Sequence, residues 1–77
     1  MVTGLVLVRL TAGQEKQALV KLKETKGVAH ISAVYGRWDL VVDLEAADMP
    51  SMTRIVIEKI RSIPGVSATE TLITTAI

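Results

Sequence analysis

Gly27 and Gly65 lie 38 residues apart in a chain of 77 and divide it into two similar halves. Each closes a stretch of helical period and opens a run suited to β structure: Lys26-Gly27-Val28 in one half, Pro64-Gly65-Val66 in the other. Glycine at such a junction admits the left-handed backbone that ends a helix, and a proline there cannot continue one. Each half then reads as strand, helix, strand. The resulting order β-α-β-β-α-β predicts an α+β chain of the split βαβ, or ferredoxin-like, arrangement: a four-stranded antiparallel sheet with both helices on one face. A chain of this length is expected to form one domain spanning 1–77.

Val2 to Leu10 carries apolar residues on both parities at Leu5, Val6, Leu7 and Val8, which predicts a strand buried on both faces, with Arg9 reaching solvent or a carboxylate. Gly13 to Thr25 changes period: Ala18, Leu19 and Leu22 share a face, Glu15 opens the stretch, and Lys23 and Lys26 close it as a helix dipole favours. Gly27 is placed as its left-handed cap. Val28 to Tyr35 predicts a second strand, with Ala29, Ile31, Ala33 and Tyr35 on one face and Val28, His30, Ser32 and Val34 on the other. Gly36-Arg37 supplies a tight turn. Trp38 to Glu45 returns as a third strand, with Trp38, Leu40, Val42 and Leu44 opposite Asp39, Val41, Asp43 and Glu45. From Ala46 to Ile63 a second helix is expected, capped by Asp48 or Ser51, with Pro50 in its first turn and Met52, Ile55, Val56, Ile60 and Ile63 as its apolar stripe. The threonine-rich Val66 to Ile77 completes the sheet.

Two helices can cover only one sheet face, yet Leu5, Val6, Leu7, Val8, Val41, Ile73 and Ile77 supply both. A composition of 49% hydrophobic residues is high for so short a chain, and with no cysteine, disulfides and thiolate metal sites cannot support it. Exposed apolar sheet on this scale predicts a dimer, sheets packed face to face or edge to edge. The net charge of +1 gives no electrostatic footprint for nucleic acid. No apolar run approaches the ~20 residues that span a bilayer, and the N-terminus has no signal-peptide pattern. A soluble, cytoplasmic protein is expected.

The residues with chemical potential cluster at Tyr35-Gly36-Arg37-Trp38-Asp39, where a turn glycine, both aromatics, an arginine and a carboxylate meet. Asp39 could hold an ammonium group, the turn amides a carboxylate, and the aromatics an apolar wall, which together describe a site for a small zwitterion. The plainer alternative is a structural turn in which Gly36 bends the chain, Trp38 packs on a helix and Asp39 bonds loop backbone. Ser67, Thr69 and Thr71 alternate in the last strand and read either as ligand-bonding hydroxyls or as ordinary β formers. Glu70 faces the other way and needs exposure or a partner such as Arg9. His30, the one histidine, has no orienting partner or metal-ligand spacing, and no phosphate loop, nucleophile elbow or dinucleotide motif is present. No cofactor, metal or catalytic residue is expected.

Tyr35-Gly36-Arg37-Trp38-Asp39-Leu40-Val41-Val42, followed by Ile63-Pro64-Gly65-Val66-Ser67-Ala68-Thr69-Glu70-Thr71, resembles the effector (RAM) domain of Lrp/AsnC transcription regulators over essentially the whole chain. The resemblance implies a βαββαβ domain that dimerises through its sheets as an α/β sandwich and assembles further into rings, octamers or decamers. It also implies amino-acid effectors held at subunit interfaces. The family's pocket positions fall on Gly36, Arg37, Trp38 and Asp39, with Thr69 and Thr71 as the weaker correspondence. Trp38 departs from the tyrosine more usual there, which implies a different side-chain selectivity. Regulators of this family carry a helix-turn-helix domain ahead of this one, whereas this sequence begins in its first strand and looks like a stand-alone RAM protein. The implied role is non-enzymatic: sensing amino acids, and joining or competing within assemblies of full-length regulators, without direct nucleic-acid or membrane contact. The alternatives are a ligand-free assembly module, a small dimeric α+β barrel enzyme relying on His30, Trp38 or Tyr35, and an ACT-like sensor.

Overall fold

The computed structural model describes residues 1–73; Ile77 and the end of the expected last strand lie outside them. Strands β1 (Val2–Leu10), β2 (Val28–Ala33), β3 (Leu40–Ala46) and β4 (Val66–Ile73) form one antiparallel sheet in the order β2-β3-β1-β4. Helix α1 spans Glu15–Glu24, and α2, Met49–Arg54, runs on into a π-helical stretch, Ile55–Ile60. The α+β, ferredoxin-like architecture is therefore as expected.

The core lies between the helices and the two central strands. Val6 and Val8 of β1 and Val42 and Leu44 of β3 are at most 1% exposed. Ala18 and Leu22 cover them from α1, and Met52, Val56, Ile60 and Ile63 from the second helix and the turn that follows it. Met52, Val56 and Ile60 are four residues apart, more than the 3.6 of an α-helical turn. The π-helical stretch, closed by Arg61 N–H donating to Val56 O at 2.9 Å, widens the turn and keeps all three inward.

β1 is not buried on both faces. Its even positions are covered, while Leu5, at 36% exposure, and the partly exposed Leu7 look out from the open side of the sheet. Register places Val41 beside Leu7 and Leu72 beside Leu5 on this face.

The two outer strands depart from simple alternation at equivalent points. In β2, Val28 pairs with Leu44 and His30 with Asp43, so Ala29 is an extra, bulged residue. In β4, Val66 pairs with Leu10 and Ala68 with Arg9, so Ser67 is bulged likewise. Each bulge comes two residues after a turn glycine, Gly27 or Gly65, and the repeat of 38 residues survives in three dimensions. The consequence is a change of face. Val28 and Ile31, expected on opposite sides, both pack against the core. Ser67 leaves the row of Thr69 and Thr71, and its hydroxyl donates to Arg9 O at 3.1 Å.

Gly27 also has a different task from the one expected. The helix already ends at Thr25, whose backbone is extended, and Val28 N–H donates to Thr25 O at 3.2 Å, with Gly27 (φ 101°) at the third position of that turn. Ile63 to Val66 repeats the turn, with Gly65 at φ 99° and a 3.1 Å closing bond. The helices are shorter than the periodicity indicated because these turns take up their ends. Asp48, not Ser51, is the cap of α2, accepting Ser51 N–H at 2.8 Å.

Gly65→Ala is expected to cost more than about 1 kcal/mol in urea denaturation, because its new Cβ would stand 2.9 Å from Gln14 O at a positive φ. Hydrogen bonds from the side chain and then the backbone of Ser51 hold the exposed Asp48 carboxyl below its ordinary 3.8. A depressed acid stabilises the fold above its unfolded value and loses that contribution as pH falls through the folded one. The gap in thermal midpoint between the native chain and Asp48→Ala should accordingly be present at neutral pH and shrink as pH drops below 3.8.

Candidate functional site

The connection between β2 and β3 is a six-residue loop, residues 34–39, rather than a two-residue turn. Tyr35 and Trp38 therefore belong to neither strand. Val34 N–H donates to Asp39 O at 3.0 Å and closes the loop at its base. Tyr35, Gly36, Arg37 and Trp38 donate no backbone hydrogen bond among the described residues, which leaves four successive amides available. Tyr35 is fully exposed at the tip.

β1 holds this loop in place. Asp39 N–H donates to Val8 O at 2.9 Å, and the Asp39 carboxylate reaches two residues further to accept Leu10 N–H through Oδ2 at 2.8 Å. Pairing of β1 with β3 stops at Val8 and Leu40, so the carboxylate supplies the acceptor that β3 no longer offers. Oδ1 takes no hydrogen bond among the described residues. Arg9 completes the clamp: Nε and Nη2 donate to Arg37 O at 3.2 and 2.9 Å, and the guanidinium lies 5.1 Å from the centroid of the Trp38 ring. An arginine over an indole is a favourable cation–π geometry. Trp38 thus stacks with Arg9, and Arg9 meets a carbonyl and a ring rather than a carboxylate.

Arg9 is the residue that sequence reading missed at this site. Its partner Arg37 lies 28 positions away, and only the β1–β3 register brings the two together. Gly36, Arg37, Trp38 and Asp39, named from sequence, do form one structure. Thr69 and Thr71 do not join them. They pair with Val8 and Val6 and so point to the helix side of β4. There they line a cleft of about 640 Å³ with Met52, Val56 and Arg61, and no hairpin residue borders it. Val8 bonds Asp39 on one side and pairs with Thr69 on the other, so the two groups are two strand spacings, about 10 Å, apart across β1. Glu70 is exposed on the open face beside Leu7. His30 is exposed opposite Asp43, with no side-chain hydrogen bond among the described residues.

Chemically, the hairpin presents a fixed carboxylate next to a short run of free amides and an indole. A carboxylate suits an ammonium group and consecutive amides suit an anion, so the chemistry matches a small zwitterion. The cleft is of another kind, with apolar side chains, the hydroxyls of Thr53, Ser67, Thr69 and Thr71, and the cation of Arg61.

Residues 3–76 match the family model of the Lrp/AsnC ligand binding domain. An uncharacterised HTH-type transcriptional regulator of Pyrococcus furiosus is 32% identical over 74 residues, covering 92% of this chain and 49% of its own length. The chain thus spans about half the length of the curated relatives it matches. A solved protein of Thermus thermophilus is 30% identical, with a TM-score of 0.92 over 100% of this chain and 96% of that one. A Neisseria meningitidis transcriptional regulator, solved as its L-methionine complex, shares the fold at a TM-score of 0.90 and 14% identity, covering 97% of this chain and 50% of its own. This chain belongs to the Lrp/AsnC ligand-binding domain family.

Proposed function

We propose that the chain is an amino-acid-sensing module of transcriptional regulation, acting in the cytoplasm as a homo-oligomer and making no DNA contact of its own. The hairpin is the observation that carries this reading: Asp39 is held by Leu10 with one carboxylate oxygen still open, beside four free amides and the Arg9-stacked Trp38. In this reading Asp39 binds the ammonium group of the effector, the Gly36–Trp38 amides its carboxylate, and Trp38 faces its side chain. The L-methionine of the Neisseria regulator supports an amino acid as the ligand class. Thr69 and Thr71 lie across β1 from the hairpin, so their hydroxyls would reach an effector only as the contribution of a neighbouring subunit.

Leu5, Leu7, Val41 and Leu72 form the surface through which two sheets would pack. Burying them removes apolar area from water, at about 25 cal/mol per Å². Further assembly into rings, and mixed assembly with full-length regulators, follow from the same family reading. A second reading, a ligand-free assembly module, is favoured by one observation: the bonds of Asp39 and Arg9 also suffice as a purely structural latch.

Calorimetric titration with the amino acids, with light scattering on the same samples, separates the two. Asp39→Asn keeps an oxygen for Leu10 N–H but removes the charge, so it should fold normally and bind the effector at least about tenfold more weakly. No heat from any amino acid at millimolar concentration would leave the assembly module standing. Leu7→Lys should convert the oligomer to folded monomer at low micromolar concentration, read as a fall to the mass of a single chain with unchanged far-UV circular dichroism.

A further inference from the structure

Three successive residues at the end of β1 hold the loop of residues 34–39, each by a different group. Val8 O accepts Asp39 N–H at 2.9 Å, Leu10 N–H donates to Asp39 Oδ2 at 2.8 Å, and between them the Arg9 guanidinium reaches Arg37 O. The two bonds to Asp39, with that from Val34 N–H to Asp39 O, already close the base of the loop. Arg9 acts elsewhere, on the peptide between Arg37 and Trp38, where Nε and Nη2 donate to one carbonyl at 3.2 and 2.9 Å. A latch that only closed the loop would not need it.

Two donors from one rigid fork fix the direction of that carbonyl more closely than a single bond does. The peptide is trans, and in a planar trans peptide the N–H points opposite to the C=O. With Arg37 O turned onto Arg9, Trp38 N–H is aimed away from it, and it donates no hydrogen bond among the described residues. A cation on the carbonyl also polarises the amide and strengthens its N–H as a donor, as bonds in a hydrogen-bonded chain strengthen one another. The same guanidinium lies 5.1 Å from the centroid of the Trp38 ring, so one side chain holds both the N–H and the indole. Arg9 is itself anchored. Ser67 Oγ donates to its carbonyl at 3.1 Å, beside the shift in β1–β4 register between Arg9 and Leu10.

We propose that Arg9 is the positioning residue through which the hairpin selects a free α-carboxylate, by presenting Trp38 N–H to it. This role rests on the effector reading of the hairpin and adds to it which donor leads and which side chain aims that donor. β1 then orients both poles of one site. Leu10 N–H takes Oδ2 of Asp39 and leaves Oδ1 for the ammonium group. Arg9 takes Arg37 O and leaves Trp38 N–H for the carboxylate. Arg9 touches neither pole and acts through the peptide.

The ligand class narrows accordingly. An amino-acid amide keeps the ammonium group and the side chain but offers the same donor an uncharged oxygen. Hydrogen bonds to an ionised acceptor are roughly twice as strong as neutral ones, so free amino acids are favoured over their amides and esters. Lysine in place of Arg9 would keep the charge without the planar fork, which separates the aim of the peptide from simple attraction.

The chain has one tryptophan, so labelling with isotopic tryptophan gives a single backbone amide signal in nuclear magnetic resonance, that of Trp38. The probes are L-leucine, L-methionine and the other proteinogenic amino acids, each titrated beside its α-amide. In the native chain the Trp38 amide proton should move downfield on binding, and the acid should bind about tenfold more tightly than the amide. Arg9→Gln should erase that preference, binding the acid about tenfold more weakly and the amide as before, with an unchanged circular dichroism spectrum. Arg9→Lys should recover only part of it. An amino acid that binds without moving the Trp38 amide, equal weakening of acid and amide in Arg9→Gln, or a preference kept whole in Arg9→Lys would overturn the proposal. Each of these leaves the effector reading standing, whereas no response to any amino acid removes both.

Discussion

One-sided burial of the central strand pair governs the rest of this structure. β1 and β3 lie side by side with Val6, Val8, Val42 and Leu44 pressed against both helices. Their opposite faces carry Leu5, Leu7 and Val41, which no helix among the described residues covers. Both helices among the described residues lie on the first face, so the apolar residues of the second face remain available for association. The same strand pair fixes the loop of residues 34–39, because β1 extends beyond the end of β3 by the residues that grip it, Arg9 and Leu10.

That grip shows how an exposed loop can be held without a core of its own. Asp39 acts as a substitute strand partner for Leu10, and Arg9 pins the loop from the open side by a bidentate bond to Arg37 O and by covering Trp38. Hydrogen bonds to charged groups contribute about 1.5–3 kcal/mol where they are shielded and less where they are wet. Here all are exposed, so their value lies in positioning. Ser67, bulged from β4, holds the carbonyl of the same Arg9. The bulge of β4 and the loop are therefore neighbours around one arginine.

Much of the fold was legible because burial in helices follows a period that sequence displays. Helical spacing assigns Ala18, Leu22, Met52, Val56 and Ile60 to the inward stripes, and all are buried, the last three kept in line by the π-helical stretch. Strand faces were less legible. A period of two carries no tolerance for an extra residue, so the bulges at Ala29 and Ser67 reverse faces that alternation assigns. The hairpin is recognisable as a cluster because its residues are contiguous. Its length is not, since Tyr35 and Trp38 have strand propensity and only the end of β3 pairing at Leu40 shows that they stand outside the sheet.

The order of elements, the helical stripes, the two junction glycines and the excess of apolar residues over what two helices can cover can all be read along the chain. These are local or compositional properties, carried by neighbours a few positions apart. The packed sheet settled which residues Asp39 and Arg9 would meet, that Thr69 and Thr71 would face the helices across β1 from the hairpin, and that a cleft lined by Met52, Val56 and Arg61 would lie between the second helix and β4. Each of these depends on strand register between segments tens of residues apart, and register is set by the packing of the whole sheet against its helices.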